Sequence, residues 1–139
     1  MGRILAIDYG QKRVGLAVTD ELQIIATPLA TVPARETIQF LKNFIGKNVV
    51  DCFVVGEPRQ MNNQVSESAR YIEPFVRLLK QEFQDIPVER ADERFTSMIA
   101  SQAIRDAGMK KKDRRNKSLV DTVSAVLILQ SFMEVRSRK

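Results

Sequence analysis

The sequence of 139 residues contains no histidine and no tryptophan, and Cys52 is its single cysteine. Without histidine, the chain cannot build a Ser-His-Asp or Cys-His catalytic group, and it lacks the imidazole ligands that zinc usually takes. One cysteine excludes an intramolecular disulfide and a cysteine-rich zinc site. Cys52 lies in an apolar run and is interpreted as a small buried hydrophobic residue. If the chain is an enzyme, it works with carboxylates, lysines, hydroxyls and a cation.

Long hydrophobic runs are also missing. No apolar stretch reaches the ~20 residues of a membrane span, and the N-terminus enters a strand pattern without the layout of a signal peptide. We therefore expect a cytoplasmic protein with no membrane partner. The length predicts a single domain, 1–139, and the net charge of +5 favours anionic partners, of which nucleic acid is the commonest.

The hydrophobic pattern predicts the element order β-β-β-α-β-α-β-α-α. Strands are predicted at 4–8, 13–19, 24–29, 49–55 and 88–91, and helices at 34–45, 66–83, 97–107 and 118–133. The first two strands should form a hairpin, with Gly10 supplying positive φ in its turn. Pro28 marks the third strand as an edge or its end, and 56–63 is predicted to be a loop. This order predicts an α/β fold with a mixed five-stranded sheet flanked by helices.

Carboxylates occupy positions where burial or a strand end is predicted. Asp8 closes the first strand, Glu57 follows the central strand, Asp92 and Glu93 follow the last strand, and Asp121 lies on the apolar stripe of the last helix. A buried carboxylate is costly unless it is paired or binds a metal, and ligands gather at the carboxyl ends of strands. The acids therefore predict a site for Mg²⁺ or Mn²⁺ that acts on phosphate. Since successive strand residues point opposite ways, only one of Asp92 and Glu93 should face it.

Simpler interpretations of these acids stay open. Asp8 could cap the backbone of the turn that follows it. Asp121 could be a first-turn acid favoured by the helix dipole. The Asp92–Glu93 pair could form surface ion pairs with the arginines beside it, and Glu57 could be a solvated loop residue.

Four sequence blocks, considered together, resemble the YqgF family, also described as Holliday junction resolvase-like proteins or pre-16S rRNA nucleases. The blocks are Ile7-Asp8-Tyr9-Gly10 with 13–20, Gly56-x-Pro58, the run Asp-Glu-Arg-Phe-Thr at 92–96, and Lys117 with Asp121 and 124–129. The resemblance covers essentially the whole chain. It implies a ribonuclease H-like fold, dependence on a divalent metal, cleavage of nucleic-acid phosphodiesters, and a role in maturing the 5′ end of 16S rRNA.

The same resemblance implies that Asp8, Glu93 and Asp121 are the metal-binding catalytic acids, with Asp92 as the alternative match for the second of them. The family loop usually reads Gly-Leu-Pro, whereas this chain has Gly56-Glu57-Pro58. Glu57 is therefore a candidate additional ligand, or a surface change particular to this lineage.

Basic residues near the acids are candidates for contacts with substrate. Lys12 and Arg13 lie one turn beyond Asp8, within reach of a scissile phosphate. Arg94 could orient a catalytic acid, and Lys117 could place positive charge beside the metals. The remaining candidates form a basic loop that would follow a phosphate backbone, and they are Lys110, Lys111, Lys112, Arg114 and Arg115. Ordinary surface charge is the alternative for each. Aromatic residues are few, so we expect recognition of backbone and shape rather than base stacking.

The expected function is metal-dependent hydrolysis of nucleic-acid phosphodiester bonds, in pre-16S rRNA processing during ribosome biogenesis. Its partners would be pre-rRNA or branched DNA, and pre-ribosomal particles. The alternatives are a Holliday junction resolvase and a non-catalytic nucleic-acid-binding assembly factor. An actin-like or sugar-kinase ATPase is a further rival, but the chain lacks the second lobe that such proteins need. The sequence leaves a monomer and a homodimer equally open.

Overall fold

The computed structural model describes residues 2–57, 69–92 and 117–137, with the backbone but not the side chains at 57, 69–70, 92, 117–122 and 137. Within these ranges, five strands form one sheet in the order β3-β2-β1-β4-β5. Their bounds are Arg3–Tyr9 (β1), Arg13–Thr19 (β2), Ala26–Pro33 (β3), Val50–Glu57 (β4) and Val88–Asp92 (β5). The first three strands are antiparallel neighbours, whereas β4 runs parallel to both β1 and β5. The predicted mixed sheet is confirmed.

Helices cover both faces of this sheet. A short 3-10 turn, Ala34–Glu36, leads into α1 (Thr37–Ile45), and α2 (Ala69–Glu82) connects β4 to β5. The last described helix, α3, is Lys117–Ser137. Among the helices of the described ranges, none has the length and apolar character that crossing a membrane requires.

The sheet separates two hydrophobic cores, one on each face, because alternate residues of each strand point to opposite sides. On one face, Leu5 and Ile7 of β1 pack with α1 and α2 in a core that includes Leu41 and Leu79. On the other face, the alternate residues of the sheet pack against α3. This second core consists of Ile4, Ala6, Ala17, Cys52, Val54, Ala125, Ile128 and Leu129. Each strand position can therefore be assigned to the α1–α2 face or to the α3 face by its phase.

The third strand departs from its prediction at both ends. It begins at Ala26 and continues to Pro33, so Pro28 lies inside it rather than at its end. The register shifts between Leu16 and Ala17, where Pro28 pairs with Ala17, which is a bulge beside the proline. A proline cannot donate to the sheet ladder, but an edge strand with a bulge accommodates it. The predicted edge position of this strand is confirmed.

Two glycine predictions were wrong. Gly56 lies inside β4 and not in a loop, because β4 continues to Glu57 through its pairing with β5. Gly10 does not adopt positive φ; instead, a Cβ atom there would collide with the carbonyl oxygen of Arg13. Gly10 is thus required for space and not for its dihedral angles.

The bounds and positions of other elements differ slightly from the predictions. The strand β4 is interior, but β1 is the central strand of the sheet. Asp92 is the last residue of β5 rather than the residue after it. The last helix begins one residue earlier than predicted and ends four residues later. The predicted helix 97–107, the basic loop and the part of the predicted loop beyond Glu57 lie outside the described residues.

Candidate active site

Asp8 is the penultimate residue of β1 and is half-buried. It follows Ile4 and Ala6 in strand phase, and these two residues belong to the core beneath α3. Asp8 therefore lies on the α3 face, at the carboxyl end of the central strand. A carboxylate at this point continues an apolar row, which is costly unless charge or hydrogen bonds compensate it.

Glycines flank Asp8 on both neighbouring strands. Gly15 of β2 is its direct partner in the register. On the other side, Ile7 pairs with Val55, so Gly56 is the β4 residue at the level of Asp8. Gly56 shares the phase of Cys52 and Val54 and thus also belongs to the α3 face. Neither neighbour places a side chain beside the Asp8 carboxylate, and glycine inside a strand commonly marks the close approach of a ligand.

The helix α3 carries Asp121 on this same face of the sheet. The C-terminal part of α3 lies at the start of β4, where Phe132 and Arg136 line a cavity of about 280 Å³ together with Cys52 and Glu89. Eleven residues separate Phe132 from Asp121, which corresponds to about 16 Å of helix. From Cys52 to Gly56 the strand advances about 13 Å. The helix therefore runs from the start of β4 back along the strand, and the backbone of Asp121 lies near the level of Gly56 and Asp8.

The remaining contacts of α3 support this direction. Ala125 lies one turn after Asp121, is fully buried and packs in the same core as Ala6. The first turn of α3 contains no acidic residue, so the interpretation of Asp121 as a first-turn acid is not supported. Lys117 is the first residue of the helix rather than the residue before it, as the sequence had predicted.

Glu57 and Asp92 lie at the same edge but in the opposite phase. They pair with each other at the ends of β4 and β5. Glu57 follows Phe53 and Val55 in phase, and both belong to the α1–α2 core. Asp92 follows Arg90, whose guanidinium donates to Glu73 of α2 at 2.9 Å. The predicted gathering of acids at the carboxyl ends of parallel strands is found in the backbone, but the phases divide these acids between two faces.

The basic candidates near Asp8 are placed by the turn between β1 and β2. The backbone N–H of Ala34 donates to the carbonyl of Lys12 at 3.0 Å, and the Lys12 side chain is exposed. Arg13 is half-buried and shares the phase of Gly15 and Ala17, so it belongs to the α3 face. Arg13 is two residues from Gly15, a diagonal neighbour of Asp8, and such pairs lie within reach of long side chains.

Other predicted residues cannot be added to this geometry. Glu93, Arg94 and the basic loop at 110–115 lie outside the described residues. Asp8 is the one predicted metal ligand with a described side chain. Within the described residues, no three acidic, cysteine or histidine side chains gather as a metal site would require.

Cys52 fits its predicted structural role. It is buried beneath α3, and its thiol donates to the carbonyl of Phe53 at 3.4 Å. Burial raises the pKa of this thiol to about 11, so it stays protonated and unreactive at neutral pH.

The two glycines beside Asp8 were not predicted as site residues from the sequence. A signal existed, because Gly15 interrupts the pattern of β2, and a glycine within a strand suggests close approach of another group. The level of Gly56 relative to Asp8 depends on pairing between distant strands, which a single sequence does not reveal.

Relatives match this chain along nearly its whole length. A protein of Bacteroides fragilis named "Putative pre-16S rRNA nuclease" is 54% identical over 136 residues, which is 98% of this chain and 99% of that protein. A protein of the same name from Phocaeicola vulgatus is 58% identical over 134 residues, 96% of each chain.

Two solved structures share the fold at low sequence identity. T. thermophilus RuvC in complex with a Holliday junction substrate aligns with a TM-score of 0.57 and 17% identity, covering 97% of this chain and 96% of that one. The Thermus thermophilus RuvC structure gives a TM-score of 0.54 and 16% identity, covering 98% and 96%. The fold is thus ribonuclease H-like, as the resemblance implied.

A family model described as "RuvX: Holliday junction resolvase" matches residues 2–135. This match agrees with the YqgF resemblance. The chain therefore belongs to the RuvX (YqgF) family of nucleases, enzymes that hydrolyse the phosphodiester bonds of nucleic acids.

Proposed function

We propose that this protein hydrolyses phosphodiester bonds of pre-16S rRNA, at the 5′ end, during ribosome biogenesis in the cytoplasm. The observation that carries the choice of substrate is the 54–58% identity to relatives whose names describe them as pre-16S rRNA nucleases. The coverage of both chains is nearly complete, so the likeness is not confined to a shared module. Pre-rRNA and pre-ribosomal particles are then the partners of this chain.

Divalent cations, Mg²⁺ or Mn²⁺, are the proposed cofactors, and Asp8, Glu93 and Asp121 would hold them. The chemistry of these donors fits, since hard cations prefer carboxylate oxygens and the chain has no histidine. The glycines at 15 and 56 support the proposal, because the positions directly adjacent to Asp8 on both neighbouring strands carry no side chain. When bound, such a cation lowers the pKa of a water and stabilises charge on the phosphate.

Strand phase supports Glu93 as the second acid rather than Asp92. Asp92 shares the phase of Val88 and Arg90, which belong with the α2 side of the sheet. The residue after Asp92 takes the alternate phase if the strand conformation continues, and that is the phase of Asp8. The same argument leaves Glu57 outside the ligand set, because it shares the phase of Val55.

The chain's own cations would position the scissile phosphate. Arg13, on the face of Asp8, is suited to bind two phosphate oxygens at once. Lys12 is exposed at the turn beside it. The remaining proposed contacts with the nucleic-acid backbone are Arg94, Lys110, Lys111, Lys112, Arg114, Arg115 and Lys117.

The test compares Asp8→Asn with Asp85→Asn, a matched change at an exposed position between α2 and β5. Both are assayed on an RNA that contains the 5′ precursor of 16S rRNA and on a four-way DNA junction, with Mg²⁺ or Mn²⁺. Loss of an outer contact to a metal ligand already costs ~10–100-fold, so we expect Asp8→Asn to lose at least ~100-fold while Asp85→Asn cuts normally. Undiminished cutting by Asp8→Asn would remove Asp8 from the metal site.

The junction substrate tests the second candidate function, which the description of the family favours. Resolution of the junction with no cutting of the precursor RNA would replace rRNA processing by junction resolution. Tight RNA binding without cleavage in either metal would instead indicate an assembly factor. The mass of the protein in solution distinguishes a monomer from the two-fold dimer that a symmetric junction would suit.

A further inference from the structure

A cleft of about 530 Å³ opens between α1 and α2, on the face of the sheet opposite Asp8. Tyr9, Tyr71 and Phe75 line it together with Gln11 and Arg35. The chain has only two tyrosines and no tryptophan, so all of its tyrosines belong to this cleft. Its volume lies within the ~300–1,000 Å³ of ordinary ligand sites.

The aromatic rings of the cleft are arranged for stacking. The Tyr9 ring stacks on Phe75 with a centroid separation of 4.3 Å and an interplanar angle of 20°. This contact fixes Tyr9 in place. Tyr71 lies one helical turn before Phe75 on α2, and 44% of its surface is exposed. One ring is thus anchored, and a second is presented to solvent beside it.

The polar lining favours an anionic ligand. Arg35 is exposed next to the aromatic rings and has no ion-pair partner within the described ranges. None of the described residues that line the cleft is acidic. Together with the net charge of +5, this lining suits a flat ring that carries a phosphate.

The cleft and the candidate active site share the end of β1, since Tyr9 lines the cleft and is the residue after Asp8. Asp8 and Tyr9 are consecutive, and strand alternation puts them on opposite faces of the same strand end. A nucleic-acid strand that crosses this edge of the sheet can therefore leave a phosphate at Asp8 and place a neighbouring base in the cleft. This shared strand end and the lack of acidic residues in the described lining favour a nucleic-acid strand over a peptide or a second copy of the chain.

We propose that this cleft binds an unpaired nucleotide next to the scissile phosphate, with its base stacked on Tyr71 and Tyr9 and its phosphate held by Arg35. The proposal rests on the proposed function only in that the substrate is nucleic acid with a single-stranded segment. It revises the expectation that base stacking is unimportant, because both tyrosines of the chain line the same cleft.

The experiment is a metal-free titration in EDTA, followed by NMR of protein labelled with ¹³C on the tyrosine rings. Only Tyr9 and Tyr71 give signals, so every signal reports on the cleft. The probes are a uridine hexamer and an abasic hexamer with the same number of phosphates. We expect saturable shifts of the Tyr71 signal with the uridine hexamer and much smaller shifts with the abasic one.

Substitutions distinguish the contribution of the base to binding from the contribution of the phosphate. Stacking of one base on an aromatic ring is worth enough that Tyr71→Ala should weaken hexamer binding by about 10-fold. Tyr71→Phe keeps the ring and should bind within about threefold of the unmodified protein. Arg35→Ala should weaken both hexamers, whereas Arg77→Ala, an exposed arginine of α2 that does not line the cleft, should not.

Three results would overturn the proposal. These are tyrosine signals unmoved by the uridine hexamer, equal shifts with the abasic hexamer, and shifts that follow protein concentration alone, which would make a second copy the occupant. The titration contains no metal and measures no cleavage, so its failure leaves the Asp8→Asn result intact. Conversely, undiminished cutting by Asp8→Asn would leave the outcome of the titration unchanged, because the titration uses the unmodified protein.

Discussion

Replacing Gly15 by valine puts a branched side chain directly opposite Asp8 and should separate stability from activity. Residues that face each other across an antiparallel pair have Cβ atoms about 4.5–5.5 Å apart. A magnesium ion lies about 2.1 Å from each oxygen ligand, so a cation and its next oxygen extend roughly 4 Å from the Asp8 carboxylate. The valine methyl groups would occupy the same space.

The expected fall in kcat follows from this overlap. A displacement of about 1 Å at a reacting centre costs ~100-fold in rate, so we expect kcat on the precursor RNA to fall by about that factor. Valine is the better strand former by up to ~1 kcal/mol, and glycine in a strand costs roughly 0.5–1 kcal/mol. The variant should therefore unfold in urea at the same or a higher concentration than the unmodified protein.

The assay pairs kcat with the urea midpoint for Gly15→Val, Gly15→Ala and the control Gly46→Ala. At Gly46, just after α1, an added Cβ would lie 3.5 Å from its nearest neighbours, an ordinary contact. The control should keep full activity. The kcat of Gly15→Ala should fall by about 10-fold while its fold stays intact. This variant keeps the test decisive if the valine side chain is too large for the protein to fold. A folded Gly15→Val protein with unchanged kcat and metal dependence would refute the argument.

Three further predictions follow from the site and its surroundings. Glu93→Gln should lose most of the metal-dependent cutting and Asp92→Asn little of it; the reverse result in parallel cleavage assays would show that β5 phase does not select the ligand. Neutralising the lysines at 110–112 should weaken RNA binding and reduce its salt dependence with no change in melting temperature, and an unchanged salt slope would exclude this loop from the interface. Burial raises the pKa of Cys52 from its ordinary 9.0 to about 11. This contribution to stability is complete below pH 9 and is lost as the pH rises towards 11, so urea midpoints should decline over that range in the native chain and less so in Cys52→Ala.

Much of the fold could be predicted from the sequence because its strongest signals are local. The limits of β2 were predicted to the residue, and the order of the described elements agrees with the pattern. Errors arose where pairing between strands overrides local preference. Gly56 reads as a loop residue, but β5 pairs with it and extends β4 to Glu57. Pro28 reads as a strand end, but an edge position with a bulge retains it.

The edge of the sheet at which the candidate acids lie could be predicted from the sequence, but the face to which each acid belongs could not. Acids that follow parallel strands must reach the same edge of the sheet, and the backbone positions of Asp8, Glu57 and Asp92 agree. Which face each acid belongs to depends on the register between strands far apart in sequence. The tyrosine cleft was missed for a related reason. Tyr71 fits the apolar stripe of α2, and nothing local indicates that it meets Tyr9 of β1.

The two proposals assign different functions to the two faces of the sheet at the end of β1. Asp8 belongs to the face beneath α3, where carboxylates would act on the phosphate, whereas Tyr9 belongs to the face that α1 and α2 cover. Changes on the two faces should therefore alter different kinetic constants. Substitutions beside Asp8 should lower kcat, because they act on the reacting centre. Substitutions of Tyr71 should raise KM for substrates with an unpaired flank and leave kcat unchanged, because a stacked base contributes equally to ground-state and transition-state binding.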